Sequence, residues 1–270
     1  MDELLVCLDG SRFAEKILPF ARGMADAAGA KLTLLRIAAD QREFLAAEDY
    51  LRDLAKDLGA LARTLLVCGD PATTILEEVK KSHRSIPALT THGRSGLVET
   101  LMGSVALRVV RGAGRPVLIY YPQTPVSEAA VKMSRVVVPL DGTKFSERIV
   151  PHAAGVARQL RARLTVVQAL APQAPQGFLA GHAEHDILES SYVHRQSDEI
   201  RRKYSIEADW EVLHGDPAEA ICRYVQGGRD TLLAMTSHAR GGLERTLFGS
   251  VAAHCVRRAG TPVLIYWPRP

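Results

Sequence analysis

The sequence has few of the residues that mark disulfide-rich, membrane or nucleic-acid-binding proteins. Its four cysteines form no CxxC pair, and aromatic residues make up only 6% of the 270 residues. The chain has no apolar run of about 18 residues, the length a membrane-spanning helix needs. It also has no basic run interleaved with aromatics of the kind that follows a phosphate backbone. We therefore expect no membrane or nucleic-acid partner, and we expect free thiols in a reducing cytoplasm.

The overall composition is that of a globular protein with nearly balanced charge. Hydrophobic residues make up 47% of the chain, and 34 basic residues face 30 acidic ones, a net charge of +4. This length and apolar content allow two compact domains of roughly 130 residues, each with its own core.

A long internal repeat divides the chain. Residues 100–122 share 16 of 23 positions with residues 246–268, at an offset of 146. Residues 3–15 match residues 135–147 at an offset of 132, so the second copy holds 14 additional residues. The offset changes between the second and third predicted strands, which places the insertion within residues 171–186. The repeat predicts tandem domains at residues 1–124 and 132–270, joined by a short linker.

Short apolar segments alternate with amphipathic ones in both copies, which predicts an α/β fold with a five-stranded parallel sheet covered on both faces. The strands are predicted at residues 4–8, 31–37, 64–67, 86–90 and 116–120, and again at 136–140, 164–169, 208–213, 232–236 and 262–266. Because proline cannot donate to a ladder, we expect the fourth strand to start after Pro87 or to be distorted there. Its counterpart in the second copy is Leu233.

A spaced motif follows the fourth strand of each copy. The first copy has Thr90-Thr91-His92-Gly93, nine residues, then Gly103-Ser104; the second has Thr236-Ser237-His238-Ala239, nine residues, then Gly249-Ser250. Together with the opening Leu-Asp-Gly-Ser/Thr, the Gly-Asp-Pro segments and the closing Pro-Val-Leu-Ile, this resembles the universal stress protein family. ATP-binding members of that family carry glycine, two residues, glycine, nine residues, then glycine with serine or threonine.

The resemblance implies two tandem flavodoxin-like, adenine nucleotide alpha hydrolase-like domains, each a doubly wound parallel sheet. It implies ATP, AMP or ADP as the ligand, alone or with Mg²⁺, and a role as a stress-response sensor or regulator. In the family the last strand commonly pairs with its partner across a two-fold axis. We therefore expect the two fifth strands to pair within this chain, an arrangement compatible with a homodimer.

The physics of the loops agrees with nucleotide binding. Gly103 and Ser104 open a helix, so their region presents backbone N–H groups and a positive dipole end to a phosphate. Gly93 allows close approach of the backbone, and Arg94 offsets negative charge. Asp9 belongs at the adenine and ribose end, and Ile37 packs against the base. The candidate nucleotide-binding residues are Leu8, Asp9, Gly10, Ser11, Ile37, Thr90, His92, Gly93, Arg94, Gly103, Ser104 and Val105, with Asp141, Gly249 and Ser250 in the second copy.

Departures from the family pattern indicate which of the two copies binds a nucleotide better. The first glycine of the motif is Thr90 or Thr236, and the second glycine becomes Ala239 in the second copy. We therefore expect a site in the first domain and a weakened one in the second. Taken singly, the Gly-Ser pair is more typical of a helix N-cap than of a ligand site, and the Asp9-Gly10-Ser11 segment is more typical of a turn and a cap.

We identify no catalytic residues and no metal ligands, and we predict a protein that is not an efficient enzyme. Two other functions stay open: a stress-protective scaffold whose nucleotide sites are degenerate, and a slow ATPase. The insertion follows the second strand, so it would emerge at the ligand edge of the second domain, where it could fold over as a lid.

Overall fold

The computed structural model describes residues 1–67, 69–91, 102–123, 129–171, 181–237 and 248–268, with the side chains of residues 181–189 excepted. The chain divides into two compact units. One contains Met1–Met133 together with Leu264–Pro270, and the other contains Ser134–Val263.

The first repeat forms a parallel sheet, as predicted. Its strands are β1 (Glu3–Leu8), β2 (Lys31–Ala38), β3 (Leu61–Leu66), β4 (Ser85–Thr90) and β5 (Val117–Tyr120). They lie in the order β3-β2-β1-β4-β5, and each neighbouring pair is parallel. The order reverses between β1 and β4, so the carboxyl ends of these strands border the crevice where doubly wound sheets bind ligands.

The second repeat has the same arrangement. Its strands are β6 (Arg135–Pro139), β7 (Arg163–Leu170), β8 (Ala208–His214), β9 (Thr231–Thr236) and β10 (Val263–Tyr266). Within the second unit β8, β7, β6 and β9 are parallel neighbours in that order. The fold class predicted from the repeat is therefore confirmed. The pairing of the two fifth strands and the homodimer stay predictions.

Helices connect the strands on both faces of each sheet. They are α1 (Arg12–Glu15), α2 (Leu18–Ala28), α3 (Gln41–Leu58), α4 (Pro71–Lys81), α5 (Ser104–Gly112), α6 (Val150–Leu160), α7 (Gly181–Tyr204), α8 (Pro217–Val225) and α9 (Ser250–Arg258), with a 3₁₀ turn at Ser146–Ile149. Among the helices within the described ranges, none is both long and apolar enough to cross a bilayer.

The central strands are buried on both faces, as expected for a sheet covered by helices. Leu4, Leu5 and Val6 of β1 are consecutive and at most 1% exposed. The edge strand β3 is different, because its first two residues are exposed. The sequence predicts this strand only at residues 64–67, because its first residues lack an apolar run.

Polar caps begin the helices that border the crevice. Asp40 caps α3 by accepting a hydrogen bond from Glu43 N at 2.7 Å, and Asp70 caps α4 by accepting one from Thr73 N at 2.8 Å. Pro71 occupies the first position of α4, where its missing N–H has no intrahelical acceptor to lose. These caps fix where the loops after β2 and β3 end.

One sequence expectation needs correction, and another is only partly tested. Strand β4 starts before Pro87 and runs through it, with Pro87 paired to Leu5 of β1. The pairing of β4 with β5 begins only at Ala88. The missing N–H of Pro87 therefore affects only the end of that ladder. Part of the predicted insertion is also helical, because α7 begins at Gly181. Residues 172–180, where the lid is predicted, lie outside the described residues.

Candidate functional site

A cavity of about 460 Å³ opens at the carboxyl edge of the first sheet. It lies between the ends of β1, β2 and β4, the loop before α4, and the first turn of α5. Its volume falls in the usual range for small-molecule sites, about 300–1,000 Å³.

Most of the candidate residues described in the first repeat meet at this cavity. The lining residues predicted from sequence are Leu8, Asp9, Ile37, Thr90, Gly103, Ser104 and Val105. Gly10 and Ser11 form the adjoining turn and are not among the lining residues. The predicted residues His92, Gly93 and Arg94 lie outside the described residues. The remaining three candidates belong to the second unit.

Asp9 and Ser11 build the turn that follows β1. Asp9 Oδ1 accepts hydrogen bonds from Ser11 N at 2.9 Å and from Ser11 Oγ at 2.6 Å. Ser11 Oγ in turn accepts from Ala14 N at 3.1 Å and caps α1. The turn-and-cap interpretation of this segment is therefore correct. The same turn also places Asp9 in the lining of the cavity.

The amino terminus of α5 faces the cavity without a side-chain cap. Gly103 is the N-cap residue and makes no capping hydrogen bond through a side chain, and Gly103 N–H donates to the Thr91 carbonyl. Leu107 N is the first to bond back into the helix, to Gly103 O at 3.0 Å. The N–H groups of Ser104, Val105 and Ala106 have no intrahelical acceptor, which is the arrangement that favours an anion.

The cavity also has a large apolar part in its lining. Its side chains come from strands, from the residue after β3 and from α4: Leu35, Ile37, Val67, Ile75 and Leu89. A cavity lined by both apolar side chains and a polar helix terminus suits a ligand with a flat hydrophobic part and a charged part.

Several lining residues are not identified from the sequence. The structure adds Cys7, Ala14, Ala39, Glu43, Gly69, Pro71, Thr91 and Ala106. The Gly-Asp-Pro segment is recognisable as a motif, but the sequence alone does not assign it to the site. The position of Glu43 could have been predicted from the sequence, because an Asp followed three residues later by Glu, here Asp40 and Glu43, is typical of a capping box at a helix start. Here Glu43 Oε2 accepts from Ala39 N at 2.9 Å.

Cys7 contributes a neutral thiol to the cavity wall. The residue is half-buried, and desolvation of its thiol raises the pKa to about 12. A thiol with this pKa stays protonated near neutral pH and is a weak nucleophile. Cys7 therefore acts as a small apolar surface.

A buried cation lies behind the Asp9-Gly10 turn. The Arg36 side chain is 9% exposed, and its guanidinium lies 5.3 Å from the centre of the Tyr50 ring and 3.6 Å from Glu43 Oε1. Tyr50 O–H donates to Glu15 at 2.8 Å. Burial and the neighbouring Glu15 raise the pKa of Tyr50. This network holds Glu43 and the Gly10 turn in place.

The second repeat keeps part of this arrangement. Asp141 Oδ1 accepts from Thr143 N at 3.0 Å and from Thr143 Oγ1 at 2.6 Å, as Asp9 does from Ser11. Gly249 is the N-cap of α9 without a side-chain cap, and Ser250 is its first residue. The counterpart of Arg36 is the buried, neutral Gln168, whose Oε1 has no hydrogen-bond partner among the described residues.

The second repeat also matches known proteins in the same way as the first. A family model described as Universal stress protein family matches residues 38–120 and again residues 133–266. The chain belongs to the universal stress protein family. Its two matches agree with two copies of the same sheet.

Relatives of this universal stress protein include one that matches its whole length and one that matches about half of it. Universal stress protein Slr1230 of Synechocystis is 23% identical over 306 residues, covering 98% of this chain and all of that one. Universal stress protein MJ0531 of Methanocaldococcus jannaschii is 24% identical over 137 residues, covering 48% of this chain and 80% of that one.

The fold of the whole chain also has a crystallographic counterpart. A universal stress protein from Archaeoglobus fulgidus superposes with a TM-score of 0.72, covering 98% of both chains at 20% identity. At this identity the likeness shows the shared fold.

Proposed function

We propose that this universal stress protein binds an adenine nucleotide in the cavity of its first unit and acts as a sensor or regulator. The observation that carries the proposal is the amino terminus of α5, without a side-chain cap, in the lining of a cavity that is otherwise largely apolar. The phosphates would lie at Gly103 and Ser104, and the base would lie against Ile37. Asp9 would accept hydrogen bonds from ribose hydroxyls.

The charges of the cavity indicate which nucleotide form binds best. Asp9 and Glu43 are carboxylates, and the described lining residues include no lysine or arginine. A triphosphate would therefore add negative charge to an already acidic wall, although Arg94 follows in the loop outside the described residues. We propose that ATP binds with Mg²⁺, which offsets this repulsion.

The cavity also favours binding over turnover. Its titratable lining residues, within the described part of the chain, are Cys7, Asp9 and Glu43. Cys7 is a neutral thiol, Asp9 is held by Ser11, and Glu43 is held by Ala39 N and by Arg36. Efficient hydrolysis needs a group that positions and activates a water, and none of these three is placed to do so. We propose a cytoplasmic, non-catalytic protein with domains at residues 1–124 and 132–270.

A scaffold with degenerate nucleotide sites is the second candidate. It is favoured by Thr90, a β-branched residue that lines the cavity where the family motif has glycine. If Thr90 fills the space that the ligand needs, the cavity would stay empty at any nucleotide concentration.

Titration calorimetry with ATP, AMP and adenosine, each with and without Mg²⁺, tests the proposal. We expect ATP to bind more tightly with Mg²⁺, and Gly103→Val to weaken binding by roughly ten-fold or more, about 1.4 kcal/mol. Gly249→Val makes the same change at the start of α9 and is the matched control, with a smaller expected effect. Thermal unfolding confirms that both variants fold.

Two results would contradict the proposal. Loss of binding in Gly249→Val with full affinity in Gly103→Val would move the site to the second unit. Absence of binding by the wild-type protein at millimolar nucleotide would leave the scaffold function.

A further inference from the structure

Two buried thiols lie side by side in the second unit, away from the first cavity. Cys222 in the middle of α8 and Cys255 in α9 are 1% and 0% exposed. Their sulfurs are 4.0 Å apart and form a thiol–thiol hydrogen bond. The two helices are therefore in contact through their cysteine side chains.

The first repeat has no counterpart to this pair. At an offset of 146 residues, Cys222 corresponds to Leu76 of α4 and Cys255 to Val109 of α5. Both aliphatic residues are replaced by cysteine in the second repeat. A general requirement for small buried residues does not explain this, because the first repeat packs the same helices with larger side chains.

A third position differs together with the thiols. In the first repeat a Cβ on Gly112 would lie 2.5 Å from Leu76 Cδ1, so a larger residue there would have to displace the end of the leucine side chain. The second repeat has Arg258 at this position. The shorter Cys222 leaves space beside Arg258, so the two exchanges together bring a thiol and a cation to the same helix pair.

The neighbours make the two thiols unequal. The hydrogen bond between the two thiols lowers the pKa of Cys222, and Arg258 adds to this, while burial and Glu219 oppose it. The same hydrogen bond and burial raise the pKa of Cys255. Cys222 is therefore the thiol that ionises first and attacks an oxidant.

We propose that Cys222 and Cys255 are a redox modification site that forms a reversible disulfide on exposure to a peroxide. The Cys222 thiolate attacks one oxygen of hydrogen peroxide, the O–O bond breaks, and a sulfenic acid and hydroxide form; a proton converts the hydroxide to water. The Cys255 sulfur then attacks the sulfenic sulfur, forming the S–S bond and releasing a second water with the thiol proton. Two thiols and one peroxide thus give one disulfide and two waters.

The step requires a small rearrangement. A disulfide needs sulfurs about 2.05 Å apart, so the pair must close by roughly 2 Å. Local opening of the helix pair admits the peroxide. A metal-bound pair is not indicated, because no third His, Cys, Asp or Glu in the described ranges completes a ligand group. The proposal does not depend on nucleotide binding.

Intact-mass and peptide-mapping measurements on the full chain test the proposal. After treatment with equimolar hydrogen peroxide we expect the protein to lose the mass of two hydrogens and two titratable thiols. Digestion should give one linked peptide pair containing Cys222 and Cys255, and dithiothreitol should restore both thiols.

Two variants act as matched controls. The triple variant Cys222→Leu, Cys255→Val and Arg258→Gly carries the three residues that the first repeat packs at these positions, and it should lose no thiols at the same dose. Arg258→Ala should slow disulfide formation several-fold. An unchanged rate in Arg258→Ala would remove the role given to that cation. Recovery of both wild-type thiols unoxidised, their conversion to sulfinic acid, or a disulfide at Cys7 or Cys68 would overturn the proposal.

Discussion

The turn after the first strand of each repeat shows how single residues set the two sites apart. Gly10 and Gly142 are equivalent and have nearly the same backbone, with φ of +82° and +81°. A Cβ on Gly10 would lie 2.8 Å from Arg36 Cζ, whereas a Cβ on Gly142 would meet only Gln168 Nε2 at 3.9 Å. Because Arg36 is buried against Tyr50, it cannot easily move away.

We therefore predict that Gly10→Ala destabilises the protein more than Gly142→Ala. Both variants carry the conformational penalty of a positive φ, about 1–2 kcal/mol. Gly10→Ala adds the overlap with Arg36, on the order of 1–3 kcal/mol. Urea unfolding of the two variants measures the difference. Equal losses of stability would show that Arg36 adapts without cost.

Glu78 in α4 is a buried carboxylate with two cationic partners. It is 5% exposed, its Oε2 accepts a hydrogen bond from Arg63 at 2.6 Å, and its Oε1 pairs with Lys81. Burial raises the pKa of Glu78, but the bonds to Lys81 and Arg63 outweigh it and hold the pKa below its ordinary value. The ionised form therefore stabilises the folded state.

Glu78→Gln should lower the free energy of unfolding by about 1–2 kcal/mol at pH 7. The contribution of a depressed pKa is complete above the ordinary value of about 4.3 and is lost as the pH falls through the folded value. The difference between wild type and variant should therefore shrink below about pH 4. Denaturant unfolding across pH measures it, with exposed Glu77→Gln as the control. A gap that persists at low pH would contradict the ion-pair origin.

At the scale of secondary-structure elements, the two fourth strands differ in one hydrogen-bond donor. In the second repeat Leu233 N–H donates to Pro262 O at 3.1 Å. The equivalent residue of β4 is Pro87, which has no N–H to donate toward Pro116. The pairing of β4 with β5 accordingly begins one residue later, at Ala88.

Pro87→Leu should restore this donor and raise the free energy of unfolding by up to about 1 kcal/mol. The reverse change, Leu233→Pro, should lower it by more, because it removes a donor from an existing ladder and leaves the Pro262 carbonyl without it. Urea unfolding of both variants and wild type gives the comparison. A stable Leu233→Pro variant would show that the donor contributes nothing.

At the scale of the whole molecule, the two tryptophans report on different units. Trp210 lies in β8 of the second unit, and Trp267 lies in the carboxyl-terminal segment grouped with the first. Ligand at one hundred times its Kd stabilises the unit that binds it by about 2.7 kcal/mol. Tryptophan fluorescence can therefore show which unit ATP stabilises.

We predict that ATP with Mg²⁺ shifts the urea unfolding of Trp210→Phe, which leaves Trp267 as reporter, by more than that of Trp267→Phe. The reason is that the cavity lies in the first unit. Unfolding without nucleotide is the control for each variant. A larger shift in the Trp267→Phe protein, reported by Trp210, would reverse the proposed ranking of the two sites.

The sequence by itself determined the repeat, the α/β class and the strand edge where the candidate residues meet. These depend on local properties: apolar periodicity sets each strand, and the Gly-Ser pair sets where α5 and α9 begin. Leu8, Asp9, Ile37 and Thr90 follow from strand ends, which share one edge in any parallel sheet.

Only the tertiary structure decided which other side chains complete the site. The cation of Arg36 reaches Glu43 because β2 and α3 fold against each other, and Cys222 meets Cys255 because α8 packs on α9 across 33 residues of sequence. Pro87 is held within β4 by its pairing with β1 despite its unfavourable residue type. Such contacts join residues that are distant along the chain, and their geometry is set by the packing of whole elements.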